Sequence, residues 1–445
     1  MSLRRIPLCF VVASCLCLLH SHAYSQDARA PRSEVRINVP NNSSTIVNVL
    51  DFGAVGDGQA DETEAFRKAV ESLRQGGGTV EVPRGVYRFN GNLNVPAGVT
   101  IKGMWNAITS HNGHRDRGLP KATDDGTTFL VTANAGQEDA EAFITLNTNS
   151  VLQGVVLYWP DQRADAEPIP YPWGIKMRGK NPAVVDVETL NPYNGIDASD
   201  NERALIRGVY GQPLNCGIFV DRIYDIGRIE DVHFNPWWSL HPKLFGWQQS
   251  HGKAFVFRRT DWHYVFNTFC FGYYVGYEFG GSDAGVCNGN FLGIGADSCH
   301  TAVNVEASAV FGILITNGEF VAMHGENPTQ VVVSQKNFGT VRFSNCAFWG
   351  PCEQIARLNG RNDSSMVAFS DCEFCEWDRK NKNNAAIQIS GGSVSIRGCN
   401  FRNDKPQVKV EESAKRVIIT DNFVKGKVRI DSACANARIE GNLGD

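Results

Sequence analysis

The sequence predicts an all-β chain wound into a single-stranded parallel β-helix, with an α-helix capping its N-terminal end. Three observations carry that expectation. One phrase recurs at intervals of 26 and 27 residues, the phrases alternate apolar and polar residues, and one amphipathic helix precedes them.

The chain opens with Arg4-Arg5, an apolar run from Ile6 to Leu19 and the small residues Ser21-His22-Ala23, the pattern of an export signal over 1–23. The run is too short for a membrane span. Val12-Ala13-Ser14-Cys15 offers a lipoprotein cleavage site as the alternative. The expectation is therefore an exported protein, periplasmic or secreted. Residues 24–45, rich in Ser, Asn, Arg and Pro, read as a flexible linker, and 46–445 as one β-helix domain. Loss of the signal removes two arginines and takes the formal charge from −4 to about −6. No long basic block is present, which argues against nucleic acid as a partner.

Asp61-Glu-Thr-Glu64 has the form of a helix start with a capping carboxylate. Ala65, Phe66, Ala69, Val70 and Leu73 share one face of a helix of about 13 residues. Gly76-Gly77-Gly78 ends it, and Thr79–Val82 starts a strand. These glycines are turn residues rather than a phosphate loop, because no Lys-Ser/Thr follows.

The repeat is plainest in the second half: Val341-Arg-Phe-Ser-Asn-Cys346-Ala-Phe348, Val367-Ala-Phe-Ser-Asp-Cys372-Glu-Phe374 and Val394-Ser-Ile-Arg-Gly-Cys399-Asn-Phe401. Val417-Ile-Ile-Thr-Asp-Asn-Phe423 reads as a fourth copy, one residue shorter. Stacked coils would place Cys346, Cys372 and Cys399 inside as small apolar residues, with Phe348, Phe374 and Phe401 as a second internal stack. Ten cysteines follow the signal; Cys352 and Cys375 are the pair left open for a disulfide.

Val47-Asn-Val-Leu-Asp-Phe-Gly-Ala-Val-Gly-Asp-Gly58, then Asp61–Phe66 and Val80-Glu-Val-Pro-Arg-Gly-Val-Tyr87, resembles the N-terminal segment of the pectate-lyase superfamily related to glycoside hydrolase family 28. Rhamnogalacturonase- and epimerase-like proteins belong to that group. The resemblance covers residues 47–105 closely. It implies a right-handed, pectin-lyase-like β-helix with a capping helix, usually acting on polysaccharides. The family-28 hydrolases carry Asn-Thr-Asp, Asp-Asp, Gly-His-Gly and Arg-Ile-Lys on successive coils. Here the only Asp-Asp is Asp124-Asp125, without the other pieces, so no catalytic residue carries over.

Candidate chemistry comes from the coils themselves. Val155–Gly280 holds six of the nine tryptophans and nine of the eleven tyrosines, a composition suited to stacking on sugar rings. Trp173, Trp237 and Trp238 are the expected groove residues. Aligning Gly174–Arg178, Gly195–Ser199, Gly217–Asp221, Ala254–Arg258, Gly276–Gly280 and Ala302–Glu306 turns their Ile, Met, Val and Phe inward. Lys176, Arg178, Asp197, Asp221, Arg258, Glu278, Asn304 and Glu306 then lie on one outer face. Asp197 and Asp221 would have β-carbons roughly 8 Å apart, a spacing that admits a water between acid and base in an inverting glycosidase. They are the expected catalytic pair, with Glu278 as substitute. Lys176, Arg178 and Arg258 would hold a carboxylate or sulfate. Asp225, Asp261, His233 and His263, in adjoining turns, are second-choice substrate contacts.

The first expectation for function is a glycoside hydrolase acting on a polysaccharide, possibly an acidic one. A polysaccharide lyase and a non-catalytic glycan-binding β-helix are the alternatives. No cofactor is expected, except calcium if the chain is a lyase. His111-Asn-Gly-His114 lacks a third metal ligand and reads as loop. The expected partner is the polysaccharide, with the chain a monomer or a homotrimer.

Overall fold

A computed structural model describes residues 45–105, 126–362 and 364–445. The signal and nearly all of the linker, together with His111, His114, Asp124 and Asp125, lie outside the described residues.

Short strands separated by turns wind into coils, and each strand pairs in parallel with its counterpart one coil on. Two ladders result. Among the described residues one holds 24 strands and the other 14, and the small two-stranded element Gly281–Ser282/Gly285–Val286 is antiparallel. This is a right-handed parallel β-helix. Alternation along each strand sends one set of side chains into a continuous core, where Ile175, Ile196, Ile218, Phe255, Tyr277 and Val303 follow one another in register. Flat rings stack between coils: Phe255 lies 4.7 Å from Tyr277, centroid to centroid, at 7°.

The N-terminal end is covered by the helix Thr63–Ser72, whose Phe66, Ala69 and Val70 are buried on the first coils. Asp61 accepts from the Thr63 N–H at 3.1 Å and from its hydroxyl at 2.6 Å, so the capping carboxylate is present. The helix is shorter than the apolar spacing suggests, because residues 73–76 form turns ahead of Gly77 (φ +70°).

In the repeats, Val341, Val367, Val394 and Val417 are paired in register, as are Phe348, Phe374, Phe401 and Val424. The fourth copy is therefore of full length. Asn422 occupies the cysteine position, Val424 the phenylalanine position, and Phe423 points outward at 60% exposed. Cys346, Cys372 and Cys399 are buried, and all ten cysteines from Cys216 to Cys434, Cys352 and Cys375 included, are free.

The residue before each such cysteine has a structural reason. Gly154, Asp186, Gly208, Asp231, Asn267 and Gly293 occupy equivalent corners on successive coils, all left-handed. Asn317, Asn345, Asp371, Gly398, Asp421 and Gly441 continue the series. Only Gly, Asn and Asp fill these twelve corners, the residues for which φ near +60° costs least. Their side chains bond along the axis, as Asn345 Nδ2 does to Asn317 Oδ1 at 2.8 Å.

Candidate active site

The aligned strands pair in the expected register. Lys176 lies opposite Asp197, Asp197 opposite Phe219, Val256 opposite Glu278, and Glu278 opposite Asn304, while Ser199 lies opposite Asp221. These residues form adjacent rows on the outer face of the fourteen-stranded sheet.

Asp197 is 5% exposed. Its carboxylate accepts from the Ser199 hydroxyl at 2.5 Å and the Ser199 N–H at 3.1 Å. Arg178 lies 3.2 Å away and Lys176 Nζ 3.8 Å. Burial pushes its pKa above the ordinary aspartate value, against the Ser199 bonds and the Arg178 charge. Glu278 is 3% exposed and is held by Lys253 Nζ at 2.8 Å and by Arg258. Burial raises its pKa, but the two cations outweigh burial and hold it below the ordinary value. Two buried carboxylates on one face are thus pushed in opposite directions, the pattern that separates a proton-transferring group from a permanently ionised one. Three strand spacings separate them, about 14 Å. Phe219 and Val256 lie between them, and Trp173, two strands back from Phe219, reaches within 6.1 Å of its ring, so a part-exposed aromatic pair flanks Asp197.

Asp221 sits on the neighbouring row, and its oxygens are taken up by donors of the chain itself. It accepts from the N–H groups of Arg222 at 2.8 Å and Arg259 at 3.0 Å, from the Ser282 hydroxyl at 2.8 Å, and from Arg222 Nη1 at 3.1 Å. These donors tie the hairpin Gly281–Val286 to the sheet. Four donors thus hold the Asp221 carboxylate in place.

Several aromatic and histidine expectations need correction. Trp237 and Trp238 are each 5% exposed and line no open groove. Trp237 packs on Tyr210 and His233, and Trp238 joins Val156, Tyr158, Leu190, Leu214 and Leu244 in an apolar cluster beside the main core. The helix Pro242–His251, started by Pro242 at its first turn, supplies Leu244 to that cluster. His233 and His263 lie on strands rather than in turns. His263 faces the core against Phe257, and His233 lies under Trp237. Asp225 is bound to Arg203, and Asp261 lies 4.0 Å from Arg259, away from the Asp197 row.

Lys253, Ser199 and Phe219 were not singled out by sequence reasoning. The first stands one residue before the aligned segment, and the second was aligned but uncharged. Phe219 lay in an outward position, yet its type suggested core.

Calcium does not fit this donor set. Each buried carboxylate on the face already carries Lys or Arg, and no group of three acidic, His or Cys ligands is gathered among the described residues.

The fold is thus a right-handed parallel β-helix with charged rows along one outer face. Residues 46–156 match the family described as Rhamnogalacturonase A/epimerase, pectate lyase-like. The chain is 37% identical over 93 residues to mannuronan C5-epimerase AlgE2 of Azotobacter vinelandii, covering 20% of this chain and 9% of that protein. It is 46% identical over 55 residues to alginate lyase 7 of the same organism, covering 12% and 6%. The matches thus span less than a tenth of these relatives. Among solved structures, the N-terminal fragment of bacteriophage Phi29 gene product 12 superposes with a TM-score of 0.61 at 14% identity, covering 90% of this chain and 70% of that one. At that identity the likeness is one of fold.

Proposed function

We propose that the protein is an exported carbohydrate-active enzyme that modifies an acidic polysaccharide by proton transfer at a uronate carbon. The carrying observation is Asp197, buried, raised in pKa and flanked by Lys176 and Arg178. A carboxylate held in this way on the sugar-facing side can serve as a general base. The two cations would neutralise the sugar carboxylate and so acidify the carbon beside it, with the ring resting on Trp173 and Phe219. Loss of that proton followed by expulsion of the neighbouring glycosidic oxygen is a lyase reaction. Return of a proton from the other face is epimerisation. The partial likeness to an epimerase and a lyase supports this class of chemistry.

A hydrolase is the second reading, favoured by the roughly 8 Å between the β-carbons of Asp197 and Asp221. The donors that hold Asp221 weigh against it. Product analysis separates the two: the protein is incubated with polymannuronate and polygalacturonate in deuterated water. Either deuterium at the uronate carbon, the mark of epimerisation, or unsaturated-uronate absorbance, the mark of lyase cleavage, is expected. New reducing ends without either would overturn proton abstraction in favour of hydrolysis.

A further inference from the structure

A groove lies on the outer face of the twenty-four-stranded sheet. Trp262 and Tyr264 form one wall and Phe311 the other, over a floor of Gly289, Asn290 and Gly312, enclosing about 380 Å³. The three aromatic side chains are 59%, 42% and 68% exposed, an unusual concentration on a protein surface.

Trp262 is the informative residue. It stands two positions before Tyr264, and the strand pairing equates that position with Asn149, Asn181, Arg203 and Ile226 on earlier coils. Asn149, Asn181, Arg203 and Trp262 are left-handed, Trp262 with φ +53°, and Ile226 is not. The left-handed geometry suits asparagine; a bulky aromatic in it is strained. The strain is held by a buried clamp. The Trp262 N–H donates to Asn288 Oδ1 at 2.8 Å, and Asn288 is fixed to Thr260 by bonds of 2.6, 2.8 and 2.8 Å. An indole is thus kept exposed and rigid where the backbone would accept a cheaper residue.

We infer that this groove binds a polysaccharide chain by its sugar rings, as a holding site separate from the Asp197 row. Flat aromatic walls suit the apolar faces of sugars. The Asn290 amide, which has no hydrogen-bond partner among the described residues, offers a donor and an acceptor to hydroxyl groups. The volume is that of a small-ligand pocket rather than a protein interface. Glycine is required at 312, where φ is +103° and a Cβ would meet the Thr340 carbonyl at 2.9 Å.

The test is affinity electrophoresis of the full chain through gels containing polymannuronate, polygalacturonate or dextran. Trp262→Asn, Phe311→Ala and, as a control at an exposed ring outside the groove, Phe423→Ala are run beside the parent. At least one polymer should retard the parent. Trp262→Asn and Phe311→Ala should each weaken retardation by about fivefold or more, and Phe423→Ala should leave it unchanged. Trp262→Asn should also melt no lower than the parent, because asparagine suits the corner. Unchanged retardation in both groove variants would overturn the inference. So would no retardation of the parent, or a change of oligomeric state in place of lost binding, which would make the groove a contact between copies.

Discussion

Acidification should destabilise this protein through His263, and the size of the effect follows from its surroundings. The ring is 2% exposed, packs edge-on against Phe257 at 5.8 Å, and neither nitrogen has a partner among the described residues. Burial, assisted by the charge of Arg228, lowers its pKa from 6.5 to about 3. The folded protein therefore keeps the ring neutral where the unfolded chain protonates it. Between those values the unfolded state binds more protons. The stability is complete above about pH 6.5 and is lost progressively as pH falls toward 3. At about 1.4 kcal/mol per pH unit the full window is worth about 5 kcal/mol, and the step to pH 5 about 2 kcal/mol. Urea unfolding followed by tryptophan fluorescence at pH 7.5, 6 and 5 measures it, with His263→Leu as the reference. The parent should lose about 2 kcal/mol more than the variant between the extremes. Parallel losses in both proteins would refute a buried neutral imidazole.

Asp197→Asn should lower turnover by about a hundredfold or more while leaving the melting temperature nearly unchanged. Asp221→Asn should do the reverse, costing about 1–3 kcal/mol of stability through its four donors with turnover of the folded fraction largely kept. Phe374→Ala removes a ring packed between Phe348 at 5.6 Å and Phe401 at 4.8 Å. Denaturant unfolding should register a loss of about 3–5 kcal/mol. Gly398→Ala places a Cβ 2.6 Å from Asp371 Oδ1 at φ +63°. It should cost about 1–2 kcal/mol, and Gly398→Asn less, since asparagine fills the same corner at 317 and 345.

The register of six strands was legible because each begins with a small residue followed by an apolar-x-apolar triplet, and that pattern tolerates only one alignment. The fourth repeat misled because Phe423 was matched by residue type; the Gly/Asn/Asp corner, had it been used as the anchor, would have put Val424 in the stack. Trp237 and Trp238 were misread because composition does not distinguish an aromatic that lines a groove from one that seals a loop against a sheet. The burden on Asp221 was hidden for another reason. Its donors at Arg259 and Ser282 lie 38 and 61 residues away, brought close only by the winding.

The ladder of left-handed corners also makes this chain a ruler. Each coil advances the axis by about 4.8 Å, so the twelve corners mark off roughly 50 Å in equal steps. Gaining or losing a coil between two corners would leave the neighbours' backbone geometry as it was. What would change is the distance between chemistry near the middle of the helix and anything held farther along it. Spacing along a polymer track could thus be altered in whole steps while the reacting groups stayed untouched.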